Sequence, residues 1–198
     1  SSQWEASEVV RGEYSLQASP FLEGGEHVLT LTLVDEDPTM QIGSLVTLGQ
    51  FEIEALHRDF AEPSPSNAVQ VQFGEDILLR GYDLQPLADS LELILYWQAR
   101  ARVDQSYKVF VHLVDPSTGS AVAQNDSVPR QWTYPTYWWE SGEVVEDQIV
   151  LPLDGVPFGR YLLVVGIYEQ ETAVRLRAYS EGGERYIGDT IILTEVQR

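Results

Sequence analysis

Apolar positions recur at every second residue along most of the chain. In "HVLTLTLVD", Leu29, Leu31 and Leu33 fall on one face and the threonines on the other. "LELILYWQAR" places Leu91, Leu93, Leu95 and Trp97 together. In "YKVFVHLVD", Val109, Val111 and Leu113 alternate with Phe110, His112 and Val114, so both faces are apolar, and "RYLLVVGIYE" reads the same way. Period-two alternation sends successive side chains to opposite faces of a strand, and a two-sided apolar run marks a strand covered on both faces. Turn chemistry separates the runs: "DPSTG" at 115–119, "EGGE" at 23–26 and 181–184, and "DGVPFG" at 154–159. No segment carries a sustained 3.6-residue apolar stripe. The pattern predicts an all-β, antiparallel chain. A β-sandwich, immunoglobulin-like or jelly-roll-like, is the expected way to bury so many alternating strands.

The chain also repeats itself. "QWEASEVV" (3–10) returns as "WWESGEVV" (138–145), and Trp4–Leu16 lies over Trp139–Leu151 with six of 13 positions identical. One deletion later, "GEHVLTLTLVDED" (25–37) overlies "GRYLLVVGIYEQE" (159–171); further on, Gly43, Leu48 and Phe51 fall on Gly188, Leu193 and Val196. The two "EGGE" turns are out of register with this repeat and are independent turn chemistry. The domain organisation follows: residues 68–198 form a complete sandwich, residues 1–55 match only its second half, and 56–67, with "AEPSPSN", reads as a linker. On this reading the chain enters its first unit midway through a domain. A half-sandwich alone exposes an apolar face and open strand edges. Residues 1–55 are therefore expected to dock on the complete domain or to pair with another chain, self-association included.

Charge narrows the partners. The chain has 31 acidic and 12 basic residues, a net charge of −19, and the excess runs through both parts: 11 acids to 2 bases over residues 1–60, and 20 to 10 over 61–198. Such a surface repels phosphate backbones and anionic headgroups, so nucleic acid and membrane surfaces are excluded as direct partners. There is no cysteine, hence no disulfide or thiolate chemistry. No apolar run approaches the ~18–20 residues that span a bilayer, the longest candidate being the strand-sized "YLLVVGIY" (161–168). "SSQWEASE" has neither the basic start nor the apolar core of a signal peptide, so any membrane association is expected to come through a parent protein.

Candidate chemistry is sparse. His27, His57 and His112 are scattered without metal-ligand spacing, and neither a metal nor a cofactor is expected. His112, mid-strand in a two-sided apolar run, is expected to be hydrogen-bonded to Asp126 or Gln124. Glu140, Glu143, Glu146 and Asp147 supply carboxylates of the type a glycan hydrolase uses in pairs. Glu5 and Glu8, however, occupy the places of Glu140 and Glu143 in the half copy, where no complete site can exist, which favours a structural role; no catalytic residue is assigned. The acidic "DED" (35–37) is read as a surface turn rather than a calcium loop. The strongest candidate is "QWTYPTYWW" (131–139), whose Trp132, Tyr134, Tyr137, Trp138 and Trp139 offer ring faces on which sugar rings stack, with amides and carboxylates nearby for hydroxyls. The competing role is a plug in which these rings close the sandwich end. Trp4, which matches Trp139, argues for packing at that position.

Several segments in fixed order carry a resemblance: "FGEDILLRGYDL" (73–84), "LELILYWQAR" (91–100), "YKVFVHLVD" (107–115), "AQNDSVP" (123–129), "YPTYWWESGEVVED" (134–147) and "GRYLLVVGIYE" (159–169). Together they resemble a β-sandwich region of bacterial multi-pass membrane proteins that look like glycosyltransferases of the protein mannosyltransferase and aminoarabinose transferase type. The resemblance covers 68–198. It implies a non-catalytic module outside the cytoplasm, attached to a membrane-anchored parent, that positions a glycosylated acceptor or partner. An independent carbohydrate-binding module is the alternative. The chain departs from the pattern at Ala173, where a turn glycine is expected, and lacks the hydrophobic helices that carry catalysis in such transferases, so no catalytic residue transfers to it.

Overall fold

A computed structural model describes Val9, residues 11–35 and residues 41–198. The chain divides into two compact units, Ser1–Leu56 and His57–Arg198. In the first, β1 (Gly25–Val34) and β2 (Gln41–Ile53) form an antiparallel hairpin. In the second, nine strands follow: β3 (Asn67–Phe73), β4 (Ile77–Pro86), β5 (Ser90–Ala99), β6 (Tyr107–Val114), β7 (Ala121–Ser127), β8 (Val144–Pro152), β9 (Arg160–Glu169), β10 (Ala178–Ser180) and β11 (Ile191–Gln197). They make a five-stranded sheet, β10-β3-β4-β5-β8, and a four-stranded sheet, β11-β9-β6-β7. Every strand pairing is antiparallel. The all-β sandwich read from the alternation is the fold.

The core lies where the alternation places it. Leu91, Leu93, Leu95 and Trp97 of β5 are buried against Val109, Val111 and Leu113 of β6 and Tyr161, Leu163, Val165 and Ile167 of β9, as expected for inward faces of two stacked sheets. Strand β6 is covered on its second face as well, by way of Phe110, which packs over Gly166 of the neighbouring β9. Strand β8 keeps the same phase through Val145, Asp147, Ile149 and Leu151, so an aspartate occupies a core position.

The sequence repeat reappears as strand register. Residues His27, Val28, Leu29, Thr30 and Leu31 of β1 face Phe51, Gln50, Gly49, Thr47 and Val46 of β2. Their repeat equivalents, Tyr161, Leu162, Leu163, Val164 and Val165 of β9, face Val196, Glu195, Thr194, Ile192 and Ile191 of β11. Within this stretch each ladder skips one residue, Leu48 in one and Leu193 in the other, and these are the residues the sequence alignment pairs; β1–β2 has a further shift beyond it, between Leu31 and Leu33. Gly43 and Gly188, also aligned, both take positive φ, at 79° and 71°. A shared bulge is a specific feature, since it displaces the face assignment of everything beyond it.

Two expectations change. The stretch read as a linker is tied into the second unit at its start: Val144 N–H donates to the Asp59 carbonyl at 2.7 Å, and Arg58 pairs with Glu143. The compact unit therefore begins at His57, not at residue 68. Residues 11–16, which align with strand β8, form no strand.

Candidate functional site

The aromatic stretch connects β7, an edge of the four-stranded sheet, to β8, an edge of the five-stranded one. It opens with a tight turn, Pro129–Trp132, packed on both strands. Arg130, Gln131 and Trp132 all have positive φ (53°, 53° and 71°), the left-handed region that costs ~1–2 kcal/mol for each side-chain-bearing residue. The turn is closed by backbone bonds from Trp132 N–H to Val128 O and from Tyr134 N–H to Pro129 O, and by the Thr133 hydroxyl donating to Arg130 O at 2.6 Å. Asp147 holds it from below: its Oδ1 accepts the Arg130 N–H at 2.7 Å. Burial pushes the Asp147 carboxyl up to about 6, against the opposing pull of that N–H and of the nearby Trp97 indole. Neither Asp147 Oδ2 nor Trp97 Nε1 meets hydrogen-bond geometry, so the indole's influence is that of a close dipole.

The five predicted rings separate into two groups. Trp139 and Tyr134 are buried and have no face to offer a ligand, which corrects the expectation that they stack on a sugar. They are the plug. Tyr134 donates its hydroxyl to Glu143 Oε1 at 2.6 Å, and Glu143 Oε2 accepts from Arg58 Nη1 at 2.5 Å and from the Glu140 N–H at 2.8 Å. Burial first, and this hydrogen bond second, raise the Tyr134 pKa. Trp138 is half-buried, edge-on to both Tyr134 and Tyr137, and its carbonyl accepts from Arg58 at 2.6 Å. Trp132 and Tyr137 remain exposed, at 55% and 40%.

The exposed rings border different hollows. Tyr137 lies at one of about 380 Å³ whose wall includes Asp104, Gln105, Glu169 and Glu171. Trp132 borders another of about 340 Å³, between the β7 and β8 edges, with Asn125, Ser127, Gln131 and Gln148 as polar lining and Ile149 and Val150 as apolar lining. The Lys108 ammonium stands 4.5 Å from the Trp132 ring centre and covers one face. An exposed indole, four neutral hydrogen-bonding side chains and an apolar floor can receive a ring that carries hydroxyls on its rim and C–H groups on its faces.

Sequence reasoning named Asp147 only among the carboxylates and Gln131 only as the start of the aromatic stretch, and it missed the amides of β7 and β8 as parts of this site. Asp147 was legible: it falls in phase with Val145, Ile149 and Leu151, where a carboxylate needs a partner. The left-handed turn was not, because none of its residues is glycine or asparagine. His112 meets its expectation, with Nε2 2.9 Å from Asp126 Oδ1. Trp4, Glu5 and Glu8, and Glu36 and Asp37 of the acidic turn, lie outside the described residues. Among the described residues, no group of three or more His, Asp or Glu is arranged to hold a metal ion, and no helix is long and apolar enough to cross a membrane. Protein-family models, curated proteins and solved structures give no match to this chain.

Proposed function

We propose that this chain is a non-catalytic, extracytoplasmic accessory module of a membrane-anchored, glycosyltransferase-like protein, and that it works by holding a neutral glycan at the Trp132 hollow. The setting rests on the ordered motifs of residues 73–169. The binding role rests on one observation: three consecutive left-handed residues, none of them glycine, carry Gln131 and Trp132 to an amide-lined edge of the sandwich. Strain of this kind persists where surrounding structure enforces it, and it concentrates at ligand-binding positions. A packing plug needs no such turn. The buried carboxylates favour a non-catalytic reading, since Glu143 and Asp147 are engaged in holding the loop. The net charge of −19 favours neutral over anionic sugars.

The test is a tryptophan-fluorescence titration of the full chain against neutral and acidic oligosaccharides. A neutral glycan should shift the emission, W132A should weaken binding about tenfold or more, the scale of a lost aromatic contact, and W132F should keep most of it. An unchanged spectrum across the panel, or full affinity in W132A, refutes the proposal.

A further inference from the structure

The hairpin β1–β2 has the register and bulge of β9–β11, yet its environment differs. Leu31, Leu33, Val46 and Phe51 are 45–55% exposed, whereas their equivalents Val165, Ile167, Ile191 and Val196 are 0–5% exposed. Upstream, Val9, Tyr14 and Leu16 are 73–93% exposed, against 1–3% for Val144, Ile149 and Leu151 of β8. In the second unit two neighbours account for the difference. Strand β9 pairs along its second edge with β6, and β8 pairs with β5. Strands β5 and β6 are consecutive.

We propose that the hairpin face and the edge of β1 that no strand pairs among the described residues form a docking surface for one occupant: a polypeptide half of this same repeat, equivalent to β3–β7. Its β6-type strand pairs with β1 and its β5-type strand recruits residues 9–16 as a β8. The surface also sets a specificity rule. Gly166 of β9 faces Phe110 of β6, and a Cβ there meets the Phe110 ring at 2.2 Å. The equivalent of Gly166 in β1 is Thr32, so the occupant carries a small residue where β6 carries phenylalanine. The β6 strand of this chain would set Phe110 against Thr32, which weighs against a swapped second copy as the occupant.

The test places a duplicate of residues 57–137 ahead of the full chain, with the Phe110 position of the duplicate changed to alanine, and follows amide hydrogen exchange and dye binding by exposed apolar surface. The expected result is exchange slowed at least ~100-fold across β1, β2 and residues 9–16, the scale of ordering a cooperative unit, and loss of dye fluorescence. Keeping phenylalanine in the duplicate should remove that protection, and adding T32G should restore it. Because a duplicate can fail to fold, a second measurement uses the unmodified chain with a synthetic peptide of residues 105–116 bearing F110A. This peptide should protect β1 amides, and its phenylalanine parent should bind at least ~10-fold more weakly unless the chain carries T32G. Three results overturn the proposal: protection independent of the residue opposite Thr32, a hairpin already protected in the unmodified monomer, or a concentration-dependent dimer that protects it.

Discussion

Asp147 makes the stability of the second unit depend on pH in an unusual direction. Its carboxyl sits in a core position of β8, fully buried, with one oxygen bonded to the Arg130 N–H and the other without a hydrogen-bond partner. Burial raises its pKa from 3.8 to about 6. The native state therefore binds the proton more tightly than the unfolded chain does. Stability is highest below the unfolded pKa, falls as pH rises from about 4 through about 6, and levels off above. A shift of roughly two units at 1.36 kcal/mol each amounts to about 3 kcal/mol between pH 4 and pH 7.5. The ordinary acidic contributions lie elsewhere. Backbone hydrogen bonding, first of all from Ser66, lowers Asp83, and the Arg185 hydrogen bond lowers Asp189, so the stability they supply is lost only as pH falls below the usual carboxylate range. The assay is urea unfolding of the full chain at steps from pH 4 to 8, read by fluorescence, since four of the five tryptophans belong to the second unit. D147N keeps an oxygen for Arg130 and removes the titration. Its profile across pH 4–7 should be flatter than the wild type's by about 3 kcal/mol. Parallel profiles for the two proteins refute the reasoning.

Three further outcomes follow from the packing. R58A strands the buried Glu143 carboxylate without its cation and should cost about 3–5 kcal/mol in chemical denaturation, whereas the double variant R58A/E143Q should recover part of that loss. Ala173 sits at φ 57° in an exposed turn, so A173G should raise stability by roughly 1 kcal/mol, visible as a higher denaturation midpoint with an unchanged slope. G166A drives a methyl into the Phe110 ring and should destabilise by about 1–3 kcal/mol; in an F110A background the same change should cost much less, which a double-mutant cycle measures.

The fold was legible because a strand's period is short and its inward face is apolar. Leu91 to Trp97 and Val109 to Leu113 announced their faces without any tertiary information. The repeat was legible for the same reason, and the shared register and bulge give it a structural counterpart that sequence identity alone cannot supply. The site was legible only in part. Five clustered aromatics signalled something, but ring burial depends on how the loop folds back, and the backbone decides that. Tyr134 turns inward because Glu143, fixed by Arg58 from 85 positions earlier, draws its hydroxyl after it. No local pattern reports a contact at that separation. Nor does local sequence mark Arg130–Trp132 as left-handed, since conformational propensity there is overruled by tertiary bonds.

The strained turn and the buried aspartate are best understood together. A carboxylate at a core position of β8 is costly, and three left-handed residues above it are costly too. Each makes the other tolerable: the turn aims the Arg130 N–H at Asp147, and Asp147 holds the turn where relaxed geometry would let it open. Two such costs at one edge could be avoided by a longer, polar loop and a valine at 147. The arrangement gains a fixed position for Gln131 and Trp132 over the β7–β8 edge. Rigid presentation matters most for a ligand bound through few contacts, because ordering a loose loop on binding consumes much of the affinity those contacts provide. The link between core and surface is therefore direct. D147N is expected to leave the turn in place and Trp132 competent, whereas D147V, which removes the acceptor, should loosen the turn and weaken glycan binding even where the sandwich itself is more stable.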